Sequence, residues 1–133
     1  MTERRMQIGE VAERTGLSLR TIRHYEEVGL VTPSARSKGG FRLYTEVDVE
    51  RLMVIRRMKP LDFSLEEMRD LLEITDRLAV TDDGPTGEER ERLRGRLDAY
   101  REVADARCET LRARLLAAED FAATLRRKLD PAT

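Results

Sequence analysis

Residues Ile8 to Leu30 read IGEVAERTGLSLRTIRHYEEVGL, and the punctuation of this stretch decides the fold. Ile8, Val11 and Ala12 recur at helical spacing and predict a first helix from about Ile8 to Arg14. Gly16 follows it, where a left-handed residue costs little. Ser18 has the short hydroxyl side chain that accepts from free amides at a helix start. A second helix is therefore expected over Leu19 to about Glu27, closed by Gly29. Ile22 turns inward on it with Leu17 beneath, which leaves Arg20, Thr21, Arg23 and His24 on the surface. Two helices around a glycine turn make a helix-turn-helix, whose second helix commonly enters the DNA major groove. A plain helical hairpin in a bundle would bury the same apolar residues, but the outward basic cluster argues against it.

Downstream of Pro33 the pattern changes from helical to extended. Ser34 to Arg36, the tip Ser37-Lys38-Gly39-Gly40 and the return Phe41-Arg42-Leu43-Tyr44 read as a β-hairpin. Alternation puts Phe41 and Leu43 on one face and Arg42 and Tyr44 on the other. The apolar pair is expected to pack on the helices, and Arg42 and Tyr44 to face outward with Arg36 and Lys38. A helix-turn-helix followed by a basic hairpin is the winged-helix arrangement, in which the wing lies along the phosphate backbone or in the minor groove.

Charge agrees with this placement. The chain has 133 residues, is 38% charged and has a formal net charge of -1, so it carries no overall basic signal. From Arg14 to Tyr44, however, the cations Arg14, Arg20, Arg23, Arg36, Lys38 and Arg42 stand against only Glu26 and Glu27. A local basic block of this kind forms either a phosphate footprint or an ordinary solvated face. The single cysteine permits no intrachain disulfide and fits a reducing compartment. The N-terminal MTERRMQIGE has no signal-peptide core and no apolar run reaches membrane-spanning length, so a cytoplasmic protein with no membrane partner is expected.

Thr45 caps a third helix with Asp48 three residues on; its core face is Val49, Leu52, Ile55 and Met58, and Pro60 ends it. Ser64 with Glu67 forms a capping box for a fourth, with the stripe Leu65, Met68, Leu71 and Leu72. Thr81 to Gly87, TDDGPTG, reads as a linker. Thr86 with Glu89 is expected to cap a last helix running to about Lys128, roughly forty residues and on the order of 60 Å long. Its apolar positions are Leu93, Leu97, Tyr100, Ala104, Cys108, Leu111, Leu115, Ala118, Ala122, Leu125 and Leu129. The steps alternate between four and three except around Ala104, which is a coiled-coil seam with one stutter. Such a seam requires a partner, and a second copy is the economical one. The expected organisation is thus 1–76 for the winged helix-turn-helix with its connecting helices, 77–87 for the linker and 88–133 for a dimerisation helix. Leu93 to Leu115 form the core of the interface.

The strings TIRHYEEVGL, GGFRLYTEVDVERL and FSLEEMRDLL, in this order and followed by a long terminal helix, resemble the MerR family of bacterial transcriptional regulators. The resemblance covers nearly the whole chain. It implies a homodimer held by an antiparallel coiled coil, with each subunit presenting a recognition helix and a wing to half of a pseudopalindromic operator. It also implies binding within a long promoter spacer, which is bent and untwisted so that RNA polymerase engages both promoter elements. Carried onto matching positions, it assigns DNA contacts to Arg20, Thr21, Arg23, His24 and Tyr25 of the second helix, and to Arg36, Arg42 and Tyr44 of the wing. This chain departs from the pattern in three ways. His24 stands where an aromatic residue is usual, MKPLDF at 58–63 lacks the usual glycine, and Cys108 is the only thiol.

A soft-metal site needs several convergent thiolate or imidazole ligands. Cys108 and His24 lie in different modules, so no metal site and no cofactor are expected. Cys108 reads first as a small seam residue, and alternatively as a thiol that makes the regulator redox-responsive. The other rival is a coiled-coil adaptor without sequence-specific DNA binding. An enzyme is not expected, because the chain shows no nucleophile–base pair, metal cluster or phosphate loop.

Overall fold

In the computed structural model, which describes residues 4–131, the chain forms two compact units, one ending at Pro85 and one beginning at Thr86. The first contains α1 (Ile8–Thr15), α2 (Leu19–Glu27), β1 (Ala35–Arg36), β2 (Arg42–Leu43), α3 (Glu46–Met58) and α4 (Leu65–Ala79). The second is one helix, α5 (Gly87–Leu129).

Local chemistry explains the joints. Gly16 has φ +73° and donates its amide to the Ala12 carbonyl, which ends α1. The Ser18 hydroxyl accepts from the Thr21 amide at 3.1 Å and starts α2. Thr45 and Asp48 form a capping box on α3, as do Ser64 and Glu67 on α4. Between those helices Pro60 lies in a 3₁₀ turn over Lys59–Leu61, and Asp62 then takes the left-handed conformation at φ +58°. The backbone therefore keeps the turn that a glycine would make cheaply, using a short polar residue that tolerates it.

Val11, Ile22, Leu30, Tyr44, Leu52 and Ile55 are almost fully buried in the first unit, and Met68 and Leu72 of α4 are buried as well. Ile8 and Ala12 are only half-buried, and Thr15 takes the inward position beside Val11, with its hydroxyl donating to the Val11 carbonyl at 2.8 Å. Residues 77–79, expected in the linker, form the last turn of α4. Thr86 is the N-cap residue of α5, in extended conformation.

The hairpin corrects one expectation. β1 and β2 are antiparallel, with Ala35 opposite Leu43 and Arg36 opposite Arg42. The ends of the return strand are exchanged relative to the expectation: Tyr44 is 0% exposed and Phe41 is 67% exposed, while Arg42 and Leu43 between them are both half-buried. Tyr44 exchanges backbone hydrogen bonds with Met6 at 2.7 and 2.8 Å, which fixes the strand against the N-terminal segment. Tyr44 is thereby held inward, and Phe41 at the tip is left in solvent. Tyr44 is thus a core residue of the first unit and does not face outward beside Arg36 and Lys38.

On α5, Leu93 is buried, while Leu97, Tyr100, Ala104 and Cys108 are half-buried. Leu111, Leu115, Leu125 and Leu129 are exposed. Arg101 pairs with Asp98 and Asp105 along the helix, the i,i+3 and i,i+4 spacing that supports exposed helices.

Candidate nucleic-acid interface

α2 places its side chains by period. Ile22 and Tyr25 are three residues apart and both face the core, so Arg20, Arg23 and His24 are left exposed. Thr21 is half-buried at the first turn, where its hydroxyl accepts from Ser18 at 2.8 Å. Arg20, Thr21, Arg23, His24, Tyr25 and Glu27 line an open cleft of about 770 Å³, and Lys59 completes it from the turn after α3. A smaller hollow of about 200 Å³ continues toward the wing, lined by Gln7, Ile8, Arg23, Arg36, Gly40, Phe41 and Arg42. Arg23 borders both and links the helix to the hairpin. Arg36 donates to the Gly40 carbonyl at 3.0 Å, which keeps it at the wing tip, and Lys38 is exposed beside it.

The expected contact residues therefore fall into two sets. Arg20, Arg23, His24, Arg36 and Lys38 are exposed cations or donors on the concave side of this unit or its wing. Tyr25 and Tyr44 are buried, and Arg42 is half-buried and tied to Glu26. Tyr25 is 2% exposed, and its hydroxyl is the one buried side-chain polar atom among the described residues that lacks a hydrogen-bond partner. Such a group ordinarily costs about 1–3 kcal/mol, so its position at the cleft edge has a chemical consequence. Arg42 donates from Nε to Glu26 Oε1 at 2.5 Å, and the Tyr44 hydroxyl donates to Glu26 Oε2 at 3.0 Å. Burial, and then the hydrogen bond to Glu26, push the Tyr44 phenol well above its ordinary range.

Sequence reasoning missed two residues here. Lys59 was hidden because its place in the cleft depends on where the end of α3 packs. Glu26 counted only as an acid within a basic block, although it has the inward spacing of a residue four after Ile22. Among the described residues no group of three or more His, Cys, Asp or Glu side chains is disposed to hold a metal ion. Cys108 is a free, half-buried thiol. No helix of the described residues is long and apolar enough to cross a membrane.

A helix-turn-helix with a hairpin wing and a cationic cleft along its second helix defines a winged helix-turn-helix DNA-binding protein. Two family models match the chain: "MerR HTH family regulatory protein" over residues 6–74 and "MerR, DNA binding" over residues 49–128. The chain belongs to the MerR family of DNA-binding transcriptional regulators, which are not enzymes. It is 45% identical over 80 residues to the HTH-type transcriptional regulator YfmP of Bacillus subtilis, covering 59% of this chain. It spans 57% of the length of that relative and 33% of another curated one. Among solved structures it is similar to the transcription regulator PbrR691 from Ralstonia metallidurans CH34, crystallised with lead(II). There the TM-score is 0.59 and the identity 35%, covering 96% of this chain and 91% of that one. The fold is also that of HiNmlR, a MerR family regulator lacking the sensor domain, solved bound to promoter DNA. That likeness has a TM-score of 0.68 at 22% identity, covering 88% of this chain and 80% of the other.

Proposed function

We propose that this chain acts as a homodimer on a pseudopalindromic promoter spacer and controls transcription initiation there by distorting the DNA before RNA polymerase. The observation that carries this reading is the cleft along the recognition helix, where Arg20, Arg23 and Lys59 stand with His24 against the single acid Glu27, with Arg36 and Lys38 exposed on the wing. Arg20, Thr21, Arg23 and His24 reach base edges and phosphates from the recognition helix, and Arg36 and Lys38 take backbone phosphates on the flank. Tyr25, buried to its hydroxyl, supports the recognition helix from beneath and takes no part in the contact. Reading belongs to the first unit and pairing to α5, with residues 80–86 joining α4 to α5.

Pairing follows from α5. At 43 residues it is about 65 Å long, and it carries an exposed apolar stripe through Leu111, Leu115, Leu125 and Leu129. A second copy covers the stripe with the same residues, and Leu93, Leu97, Tyr100, Ala104 and Cys108 continue the seam. Twofold pairing sets the distance between two recognition helices, which matches a palindromic site. Lead(II) binding by PbrR691 is not transferred, because Cys108 is the only thiol here and a soft-metal site needs several such ligands.

Footprinting of the purified chain on the DNA upstream of its own gene, with sedimentation of the same sample, tests this. The expected result is a dimer protecting a palindromic segment between promoter elements. A monomer, or a dimer giving no localised protection, overturns the reading.

A further inference from the structure

Glu26 lies on the recognition helix, yet its side chain is only 12% exposed and points to the wing instead of the cleft. One carboxylate receives two side chains of the return strand, the half-buried Arg42 on Oε1 and the buried Tyr44 on Oε2. The wing needs such an anchor. Its ladder consists of two residues on each side, and an isolated two-stranded hairpin is marginal in water. The Met6 bridge holds the base of the strand through its backbone, and Glu26 holds the next turn of the pleat through side chains. Charge-assisted bonds to a largely buried carboxylate are the stronger kind and are poorly screened by salt.

We propose that Glu26 is a positioning residue that sets the wing on the recognition helix, and that Arg42 acts through Glu26 and not on a DNA phosphate. Neutralised by its partner, Arg42 leaves Arg36 and Lys38 as the wing's phosphate-facing cations. The inference rests on DNA binding by this surface but makes a claim about the free protein as well.

The two roles for Arg42 predict opposite results. If Arg42 grips a phosphate, Glu26 is a competing anion. Glu26→Gln then strengthens binding, and Arg42→Ala lowers the slope of log K against log salt by about 0.9. If Glu26 positions the wing, Glu26→Gln and Arg42→Ala each weaken specific binding by about tenfold. The double variant is then no worse than either single one, and the salt slope is unchanged. The measurement is fluorescence anisotropy on a duplex carrying the footprinted segment, from 50 to 200 mM salt, with the full chain. Tyr44→Phe, which removes only the second donor, serves as the milder variant, and urea melts confirm that each protein is folded.

Amide hydrogen exchange on the DNA-free chain gives an independent arm. Glu26→Gln is expected to speed exchange at Ser37 and Tyr44, whose amides bond Phe41 and Met6, while α3 amides are unaffected. Unchanged wing exchange, tighter binding by Glu26→Gln, or multiplicative losses in the double variant overturn the proposal. Faster wing exchange in Glu26→Gln, found beside a wild-type chain that gives no localised footprint, separates failure of the operator reading from failure of this one.

Discussion

Arg56 donates from Nη1 to the main-chain carbonyl of Thr15 at 2.9 Å, so a side chain of α3 closes the end of α1. The same guanidinium lies 3.5 Å from where a Cβ on Gly16 would stand. The turn of the helix-turn-helix is thus held by a left-handed glycine from within and by an arginine from outside. Arg14 reinforces the joint by donating to both oxygens of Glu46, with the Nη2 bond at 2.9 Å.

Gly16→Ala is therefore expected to destabilise the first unit by about 1–2 kcal/mol through the left-handed backbone alone, since the added methyl meets Arg56 at ordinary contact distance. Arg56→Ala is expected to cost less, about 1 kcal/mol, because its side chain remains largely in solvent and the freed Thr15 carbonyl can hydrate. Urea midpoints read both. A Gly16→Ala variant as stable as the wild type contradicts this account of the turn.

Tyr25→Phe separates stability from binding. The hydroxyl has no partner in the free protein, so its removal relieves an unmet polar group and leaves stability equal or slightly higher. DNA affinity is expected to be unchanged, because the hydroxyl is buried and out of reach of a phosphate. Paired measurements of thermal midpoint and operator affinity check this. A severalfold loss of affinity at an unchanged midpoint would show that the hydroxyl reaches the DNA.

The alkaline limb of stability reports on Tyr44. Its phenol is held above the ordinary value of ~10 by burial, then by Glu26. The stability associated with the protonated phenol is complete below that ordinary value, and it is lost as pH rises toward the higher folded-state value. Urea stability should accordingly decline from about pH 10 upward, and Tyr44→Phe should flatten that decline while starting from a lower plateau. Equal slopes in the two proteins would show that Tyr44 does not titrate differently in the folded state.

What the sequence made legible was the chemistry that closes within a few residues. Gly16, Ser18, the Thr45–Asp48 box and the Ser64–Glu67 box each join neighbours along the chain, and all act as read. The wing's phase was not legible. It depends on Glu26, sixteen residues before Arg42, and on a strand bridge to Met6 that no periodicity announces. Hydrophobic alternation favoured Phe41 inward, but Tyr44, held by the Met6 backbone and by Glu26, took the buried position and left Phe41 in solvent. Lys59 was missed for the same reason, because its partners in the cleft belong to another helix.

The long helix yields the last prediction. Leu115 is 59% exposed on α5 and lies at the middle of the apolar stripe. If a second copy covers that stripe, each Leu115 transfers from water into the seam, a gain of about 1.5–3 kcal/mol per side chain that symmetry counts twice. Leu115→Asp replaces that gain with a buried carboxylate and is expected to shift the chain to monomer at micromolar concentration. The first unit keeps its own core, so its hydrogen-exchange pattern should be unchanged. Operator affinity should then fall to that of a single half-site, with non-specific binding largely retained. Sedimentation velocity beside anisotropy decides the matter: a Leu115→Asp chain that remains dimeric moves the interface off this seam, and a monomeric wild type removes it.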